Sequence, residues 1–244
     1  MNIKRKTTQM VALLRSVPVA MTVLFVAAVV LMNFLARITL VSLPWLALNA
    51  GITVSWMSFL FVDIVTRHFG AKAANMLSIL AIFVNLAVCM FCVLLSRVFD
   101  YPALDMVVGG QWSILMASTI AYIVAALTNN YTNVFLGRRF FRRNPDGRKA
   151  FAVRSYVSTF LSQCVDNFLF VFLAFVVLPN IPGALPVRWT VAQCVGASVL
   201  CAGLELLSEV VFSPLGYRVA QNWKARNVGQ DYLEQYCPNG ALDA

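Results

Sequence analysis

The segment SYVSTFLSQCVDNFLFVFLAFV, residues 155–176, decides the fold of this chain. Asp166 lies in the middle of an otherwise apolar run, and polar residues accompany it at three- and four-residue steps. They are Ser155, Ser158 and Ser162 in one row, and Thr159, Gln163 and Asn167 in the next. This spacing predicts one helix with a polar face opposite an apolar face. Because a carboxylate in hydrocarbon is costly unless it is paired, hydrogen-bonded or protonated, the pattern indicates a functional helix inside a membrane.

The composition of the whole chain is that of a membrane protein. Of its 244 residues, 60% are hydrophobic and only 12% are charged, whereas soluble domains have about 25% charged residues. A helix needs about 20 mostly apolar residues to cross a bilayer. The stretches that qualify are 18–36, 47–66, 73–96, 107–135, 153–178 and 188–213. We therefore predict an all-α integral membrane protein with six transmembrane helices, in one domain over residues 1–226 with a short tail at 227–244.

The positions of the cations predict the topology. A net charge of +9 would suggest a nucleic-acid partner in a soluble protein, but all but three of the 19 Lys and Arg residues fall on one side of the six predicted spans. The three exceptions are Arg37, Arg97 and Arg188. Since basic loops stay in the cytoplasm, we expect both termini to be cytoplasmic, the partner to be the lipid bilayer, and no nucleic acid to bind.

Two further features of the chain concern its organisation. Three spans on each side of the central outer loop raise the hypothesis of a 3+3 inverted repeat, because an odd number of crossings reverses the orientation of the second half. The stretch Arg37 to Gly51 contains Pro44 in an apolar run. It predicts a re-entrant or hairpin-like excursion on the outer side, and residues 215–244 predict an interfacial helix with a polar end.

Catalytic and metal chemistry find little support in the sequence. The six cysteines lie mostly within predicted spans, and His68 is the only histidine, so we predict packing roles for the cysteines and no metal or other cofactor. There is no phosphate-binding G-x-x-x-x-G-K-[ST] loop, no G-x-S-x-G elbow and no nucleophile–base pair. An intramembrane enzyme is therefore the less favoured class, and we predict that the chain is not an enzyme.

Four acids fall within the predicted spans: Asp63, Asp166, Glu205 and Glu209. Glu205 and Glu209 are one helical turn apart, about 6 Å along the axis, so one of them should hold a proton or find an arginine. Asp63 is one turn before Arg67, which allows either a structural ion pair or a functional acid. Gly70 would then end that helix.

Uncharged polar groups extend this set. Span four carries Ser118, Tyr122, Asn129 and Asn133 at helical spacing, with Asn130 beside them. Together with Ser162, Gln163 and Asp166 they predict a polar chamber for a flat solute rich in hydrogen-bonding groups. Aromatic residues that could supply a stacking wall are Trp56, Phe59, Tyr122 and Phe170.

At these residues the chain resembles the queuosine-precursor transporter family, also called the vitamin uptake transporter (VUT) family. Three patches carry the resemblance. The first contains Asp63, Arg67, Phe69, Gly70 and Ala74. The second contains Ser162, Gln163, Asp166, Phe170, Ala174 and Phe175. The third contains Glu209, Pro214 and Tyr217.

The resemblance implies a six-helix importer of the inner membrane for queuosine precursors. These are 7-deazaguanine bases such as 7-cyano-7-deazaguanine, 7-aminomethyl-7-deazaguanine or queuine. A guanine-like edge presents a ring N–H beside an exocyclic amine, so one carboxylate can accept from both. We expect Asp166 to do so first and Glu209 second, with Gln163, Asn129 and Asn133 on the remaining edge. The full candidate site is Asp166, Gln163, Ser162, Asn129, Asn133, Tyr122, Glu209, Glu205, Asp63 and Phe170.

Two modes of transport stay open on the sequence alone. The chain could be a stand-alone carrier, moving its solute down a gradient or with protons through the buried acids. It could instead be the substrate-binding membrane subunit of a multi-component uptake system for vitamins or nucleobases, docked onto energising partner proteins. A homodimer is a further hypothesis.

Overall fold

The computed structural model describes residues 3–99, 109–140 and 148–237, and most of them are helical. The helices are α1 (Ile3–Ser16), α2 (Val19–Leu35), α3 (Ile52–Phe69), α4 (Ala71–Val98), α5 (Gln111–Phe140), α6 (Arg148–Phe172), α7 (Val191–Ala225) and α8 (Gln230–Tyr236). Two short strands, β1 (Thr39–Leu43) and β2 (Leu46–Asn49), lie between α2 and α3. A π-helical turn over Leu173–Val177 and a 3-10 turn over Leu178–Asn180 continue α6. The predicted helical class is confirmed, with one small hairpin added.

Several of these helices are long and apolar enough to cross a membrane. Within the described residues they are Ala71–Val98, Val157–Asn180 and Val191–Phe212. A fourth candidate is the pair Thr7–Ser16 and Val19–Leu35, which bends by 111°. Gln111–Ala125 is a shorter apolar helix. The chain is thus a membrane protein with three or four candidate spans. The count of six, the side on which the termini lie and the inverted repeat stay predictions.

A helix overlaps every one of the six predicted stretches. The second predicted stretch, 47–66, begins before its helix, because α3 starts at Ile52. Residues 46–49 form β2, which pairs with β1 in antiparallel register, with Leu43 opposite Leu46. The backbone N–H of Ala50 then donates to Ile38 O at 2.8 Å, which closes the ladder. The apolar residues 46–49 belong to a strand and not to a transmembrane helix. The prediction of a hairpin-like excursion over Arg37–Gly51 therefore describes them correctly.

The chain divides into two units by its internal contacts. Unit 1 comprises Met1–Phe34, Thr53–Val88 and Leu207–Ala244, and unit 2 comprises Leu35–Ile52 and Cys89–Leu206. The apolar core of unit 1 includes Phe25, Ile64, Phe69, Leu77 and Trp223. The core of unit 2 includes Ala47, Ile114, Phe175, Trp189 and Cys194.

In unit 1 the first and last helices pack together. We call α1, α8 and residues 226–229, which connect α7 to α8, the terminal clasp. Gln9 Nε2 donates to the hydroxyl of Tyr232 at 3.2 Å, and the ring nitrogen Nε2 of His68 lies 2.8 Å from Val228 O. Phe69 lies under the clasp, with its ring edge-on to Tyr232 at 5.8 Å between centroids. The clasp therefore ties both helices to the end of α3.

Gly70 ends α3, as the sequence predicts. Its φ is +88°, a left-handed conformation in which a side chain would be strained. Its N–H donates to Thr66 O at 3.0 Å and α4 begins at Ala71. This turn reverses the chain within one residue and brings Phe69 into the core.

In unit 2 the hairpin lies against the start of α7. Gln193 Nε2 donates to Leu43 O at 2.8 Å. A Cβ added at Gly196 would overlap the carbonyl oxygen of Trp45. The absence of a side chain at Gly196 therefore allows the tip of the hairpin to touch the backbone of α7.

Candidate functional site

The polar stripe of α6 is joined to α7 by side-chain hydrogen bonds within unit 2. Asn167 Nδ2 donates to Glu205 Oε2 at 2.8 Å and to the backbone oxygen of Gln163 at 2.9 Å. Ser198 Oγ donates to Cys164 O at 2.7 Å. These contacts place Glu205 of α7 beside α6, the helix that carries Asp166, although Asn167 and Glu205 are far apart in sequence.

Two carboxyl groups share this place. Glu205 is buried, with 7% of its surface exposed, and Asp166 is half-buried. They lie close enough to interact electrostatically. Among the described residues, Asp63 forms an ion pair with Arg67. Neither Asp166 nor Glu205 has a cationic partner within this described part of the chain. Two acids without a cation need a proton or a ligand that brings hydrogen-bond donors.

Gln163 supplies another acceptor of the same kind. Its side-chain oxygen Oε1 is buried and has no hydrogen-bond partner among the described residues. Since Asn167 already uses its amide on Gln163 O and Glu205, it offers no donor to this oxygen. We call Gln163, Asp166 and Glu205 the acceptor cluster. Its shared property is an excess of hydrogen-bond acceptors over donors.

Other predicted residues of unit 2 have local partners. Ser162 Oγ donates to Thr159 O at 2.9 Å, so its hydroxyl is engaged within α6. The ring of Phe170 lies edge-on to Phe175, with centroids 6.2 Å apart. Tyr122 is half-buried on α5, which packs along α6. The side chains of Asn129 and Asn133 lie outside the described part of the chain.

The predicted residues of unit 1 form a separate set. Arg67 Nε donates to both oxygens of Asp63 at 2.9 and 2.8 Å, which makes Asp63 the acid with a cation, as the ion-pair alternative predicted. Gly216 of α7 lies beside this pair, because a Cβ there would come within 3.0 Å of Asp63 Oδ2. Trp56 stacks on Phe212, with centroids 4.6 Å apart. Glu209 has its side chain outside the described part.

Sequence reasoning missed two features of the site. It paired Glu205 with Glu209 on the same helix, whereas the described partner of Glu205 is Asn167 on α6. It also did not predict the contact of Ser198, whose hydroxyl on α7 donates to the backbone oxygen of Cys164 on α6. The only signal was that Ser198 and Glu205 are seven residues apart and so share a face of α7. Within the described residues, no group of three or more His, Cys, Asp or Glu side chains could hold a metal ion.

Apolar helices of spanning length that carry carboxyl and amide groups between them define the class of integral membrane proteins. The family model for "Putative vitamin uptake transporter" matches residues 49–219, and the chain belongs to this family. The resemblance seen in the sequence is therefore confirmed, and all three patches that carried it lie within the matched range. No curated protein and no protein of solved structure matches the chain. Family membership indicates a transporter with a small-molecule substrate.

Proposed function

We propose that this transporter imports a queuosine precursor, a 7-deazaguanine base, across the inner membrane. The observation that supports the proposal is the acceptor cluster of Gln163, Asp166 and Glu205. Its acids have no cationic partner among the described residues, and Gln163 Oε1 has no donor there. A solute that brings several N–H donors at fixed positions would satisfy Asp166 and Gln163 Oε1, beside the Glu205 carboxyl group that Asn167 already holds.

A guanine-type edge has that arrangement of donors. Its ring N–H and its exocyclic amine lie side by side, so one carboxylate can accept both in a bidentate contact. Asp166 is the acid that is free for this role, because Glu205 already accepts from Asn167. Gln163 Oε1, one turn earlier on α6, would take a further N–H of the ring system. An adenine-type edge alternates donors and acceptors, and would place an acceptor against a carboxylate.

The binding experiment uses the purified full chain in detergent and a panel of bases. We expect 7-cyano-7-deazaguanine, 7-aminomethyl-7-deazaguanine or queuine to bind. An analogue of the bound base that lacks the exocyclic amine should bind about ten- to a hundredfold more weakly, because a buried acceptor then loses a charge-assisted bond. Equal affinity for both members of that matched pair would exclude the bidentate contact. Binding of none of the deazaguanines would refute the substrate class.

A second experiment separates the two modes of transport. We expect the purified chain, without any other protein, to transport the bound base across the liposome membrane. Empty liposomes and liposomes with the Asp166→Asn variant are the controls. A chain that binds the base but moves it only after an ATP-hydrolysing partner is added would instead be the binding subunit of a multi-component system.

A further inference from the structure

The helix α1 has one face that the protein core covers and one face that it leaves open. Leu13 is fully buried in the core of unit 1, whereas Thr7, Thr8, Val11 and Arg15 are exposed. The exposed residues recur at three- and four-residue steps and line a shallow depression with Ala12. Val11 is 45% exposed, so the open face joins two hydroxyl groups, an apolar side chain and a guanidinium.

The direction of α1 fits a position along the membrane surface. It turns by 111° from α2, whose 17 residues are almost all apolar. At about 1.5 Å per residue α2 is roughly 25 Å long, close to the thickness of a bilayer's hydrocarbon core. If α2 stands upright in the bilayer, α1 runs nearly parallel to the surface. Lys4, Arg5, Lys6 and Arg15 belong to α1, and the hydrocarbon core would be a costly place for them.

The charge of the surrounding surface favours an anionic partner. α1 contains four cations and no acid. Near the terminal clasp the exposed cations also include Lys72, Lys224 and Arg226. The exposed acids of α8 are Asp231 and Glu234, and Glu234 accepts a hydrogen bond from Gln230 at 2.8 Å. Among the described side chains around the clasp, the exposed cations Arg15, Lys72, Lys224 and Arg226 therefore outnumber the exposed acids Asp231 and Glu234.

We propose that the open face of α1 binds the headgroups of anionic phospholipids at the membrane surface. Arg15 contacts a phosphate, and Val11 contacts the glycerol and upper acyl region. α1 and α8 lie outside the residues that the family model matches, 49–219. The lipid contact is therefore a property of the terminal clasp and does not depend on the acceptor cluster.

The test measures lipid binding by the full chain with no transport substrate present. Native mass spectrometry of the purified protein titrated with phosphatidylglycerol or phosphatidylcholine counts the lipids that it retains. We expect phosphatidylglycerol to bind about tenfold or more tightly than phosphatidylcholine, and the fourfold variant Lys4→Gln, Arg5→Gln, Lys6→Gln, Arg15→Gln to lose that preference. The matched control changes Arg138, Arg139, Arg142 and Arg143 to Gln, which removes the same charge elsewhere in the chain, and should keep the preference.

A second variant keeps all four cations. Val11→Glu places an acid in the middle of the open face, at a side chain that is 45% exposed, and should weaken phosphatidylglycerol binding by a similar factor. The proposal is overturned if the wild type shows no preference, if the control loses as much as the α1 variant, or if Val11→Glu binds like the wild type. Thermal unfolding of each variant verifies that folded molecules are compared.

Discussion

Asn167 on α6 and Glu205 on α7 are joined by a 2.8 Å hydrogen bond in which the amide donates to the carboxyl oxygen. The same amide nitrogen donates to Gln163 O, so both of its hydrogens are used. Glu205 is thereby held by a neutral donor, and Asp166 is left as the acid that accepts no hydrogen bond from the described residues. The relationship assigns different tasks to the two acids. Glu205 joins the helices, and Asp166 is available to a ligand.

We predict that Asp166→Asn reduces substrate affinity about ten- to a hundredfold per folded molecule. Asparagine keeps the shape but places a donor amide where a guanine-like edge needs an acceptor, and the charge-assisted bond that is lost contributes roughly 1.5 to 3 kcal/mol. The effect is measured as substrate binding by the folded protein that size-exclusion chromatography separates from aggregates. Asp231→Asn, at an exposed acid of α8, is the control and should bind normally. Near wild-type affinity of Asp166→Asn would rule out the contact.

We predict that Asn167→Leu acts mainly on stability. It leaves the buried carboxyl group of Glu205 without its donor, which should cost about 1 to 3 kcal/mol of unfolding free energy. Unfolding in mixed detergent measures the change, and Asn222→Leu, at an exposed position of α7, should stay within about 0.5 kcal/mol. In the double variant with Glu205→Leu the loss should be smaller than the sum of the single losses. Strict additivity would mean that the two side chains do not interact.

The close approach of the hairpin to α7 gives a matched pair of glycine substitutions. Gly196→Ala should destabilise the protein by about 1 to 3 kcal/mol, because its Cβ overlaps the backbone of Trp45. Gly203→Ala lies two turns further along α7, where a Cβ meets nothing within 4 Å. It should be neutral or stabilising by up to about 1 kcal/mol, since alanine favours the helix. Thermal unfolding distinguishes them, and equal effects would contradict the described contact.

The terminal clasp should loosen in alkali. Burial raises the pKa of the Tyr232 phenol above its ordinary value of 10.0, while the hydrogen bond from Gln9 opposes that shift. A group whose pKa is higher in the folded state stabilises it fully below the ordinary pKa, and that contribution is lost as the pH rises through the raised one. Limited proteolysis of α8 should therefore accelerate above about pH 10.

The controls for this prediction are two tyrosine variants. The protease should cleave Tyr232→Phe at a rate that does not rise over that pH range, once the rate is corrected for the pH dependence of the protease on a soluble substrate. Tyr217→Phe, at an exposed position of α7, should behave as the wild type does. The role of Tyr232 is refuted if its phenylalanine variant keeps the full alkaline response.

The predicted topology can be read with reporter insertions. Reporters after Ala244 and within Pro145–Gly147 should lie in the cytoplasm, because all but three of the 19 cations fall on that side of the predicted spans. A reporter at Gly183, where a Cβ would meet nothing within 4 Å, should lie outside. Opposite locations for Ala244 and Gly183 are the essential result. The same location for both would contradict an odd number of crossings between them.

The sequence predicted those parts of the structure that depend on local spacing. The period of the stripe from Ser158 to Asp166 predicts α6, and Gly70 predicts the end of α3, because each follows from the geometry of one helix. The partner of Glu205 could not be predicted in this way. It depends on how α6 and α7 pack in three dimensions, and Glu209 was the nearer choice in sequence. The terminal clasp was missed for the same reason, since Gln9 and Tyr232 meet across almost the whole chain.

The contact between Gly196 and Trp45 also makes the two positions differ in their tolerance to substitution. The hairpin presents a main-chain oxygen to α7, and the indole of Trp45 points away, 61% exposed. Every amino acid has that oxygen, so position 45 can accept many side chains while position 196 accepts only glycine. The rim of the hairpin can therefore diversify among homologues, and adapt to different surroundings, without disturbing its attachment to the helix.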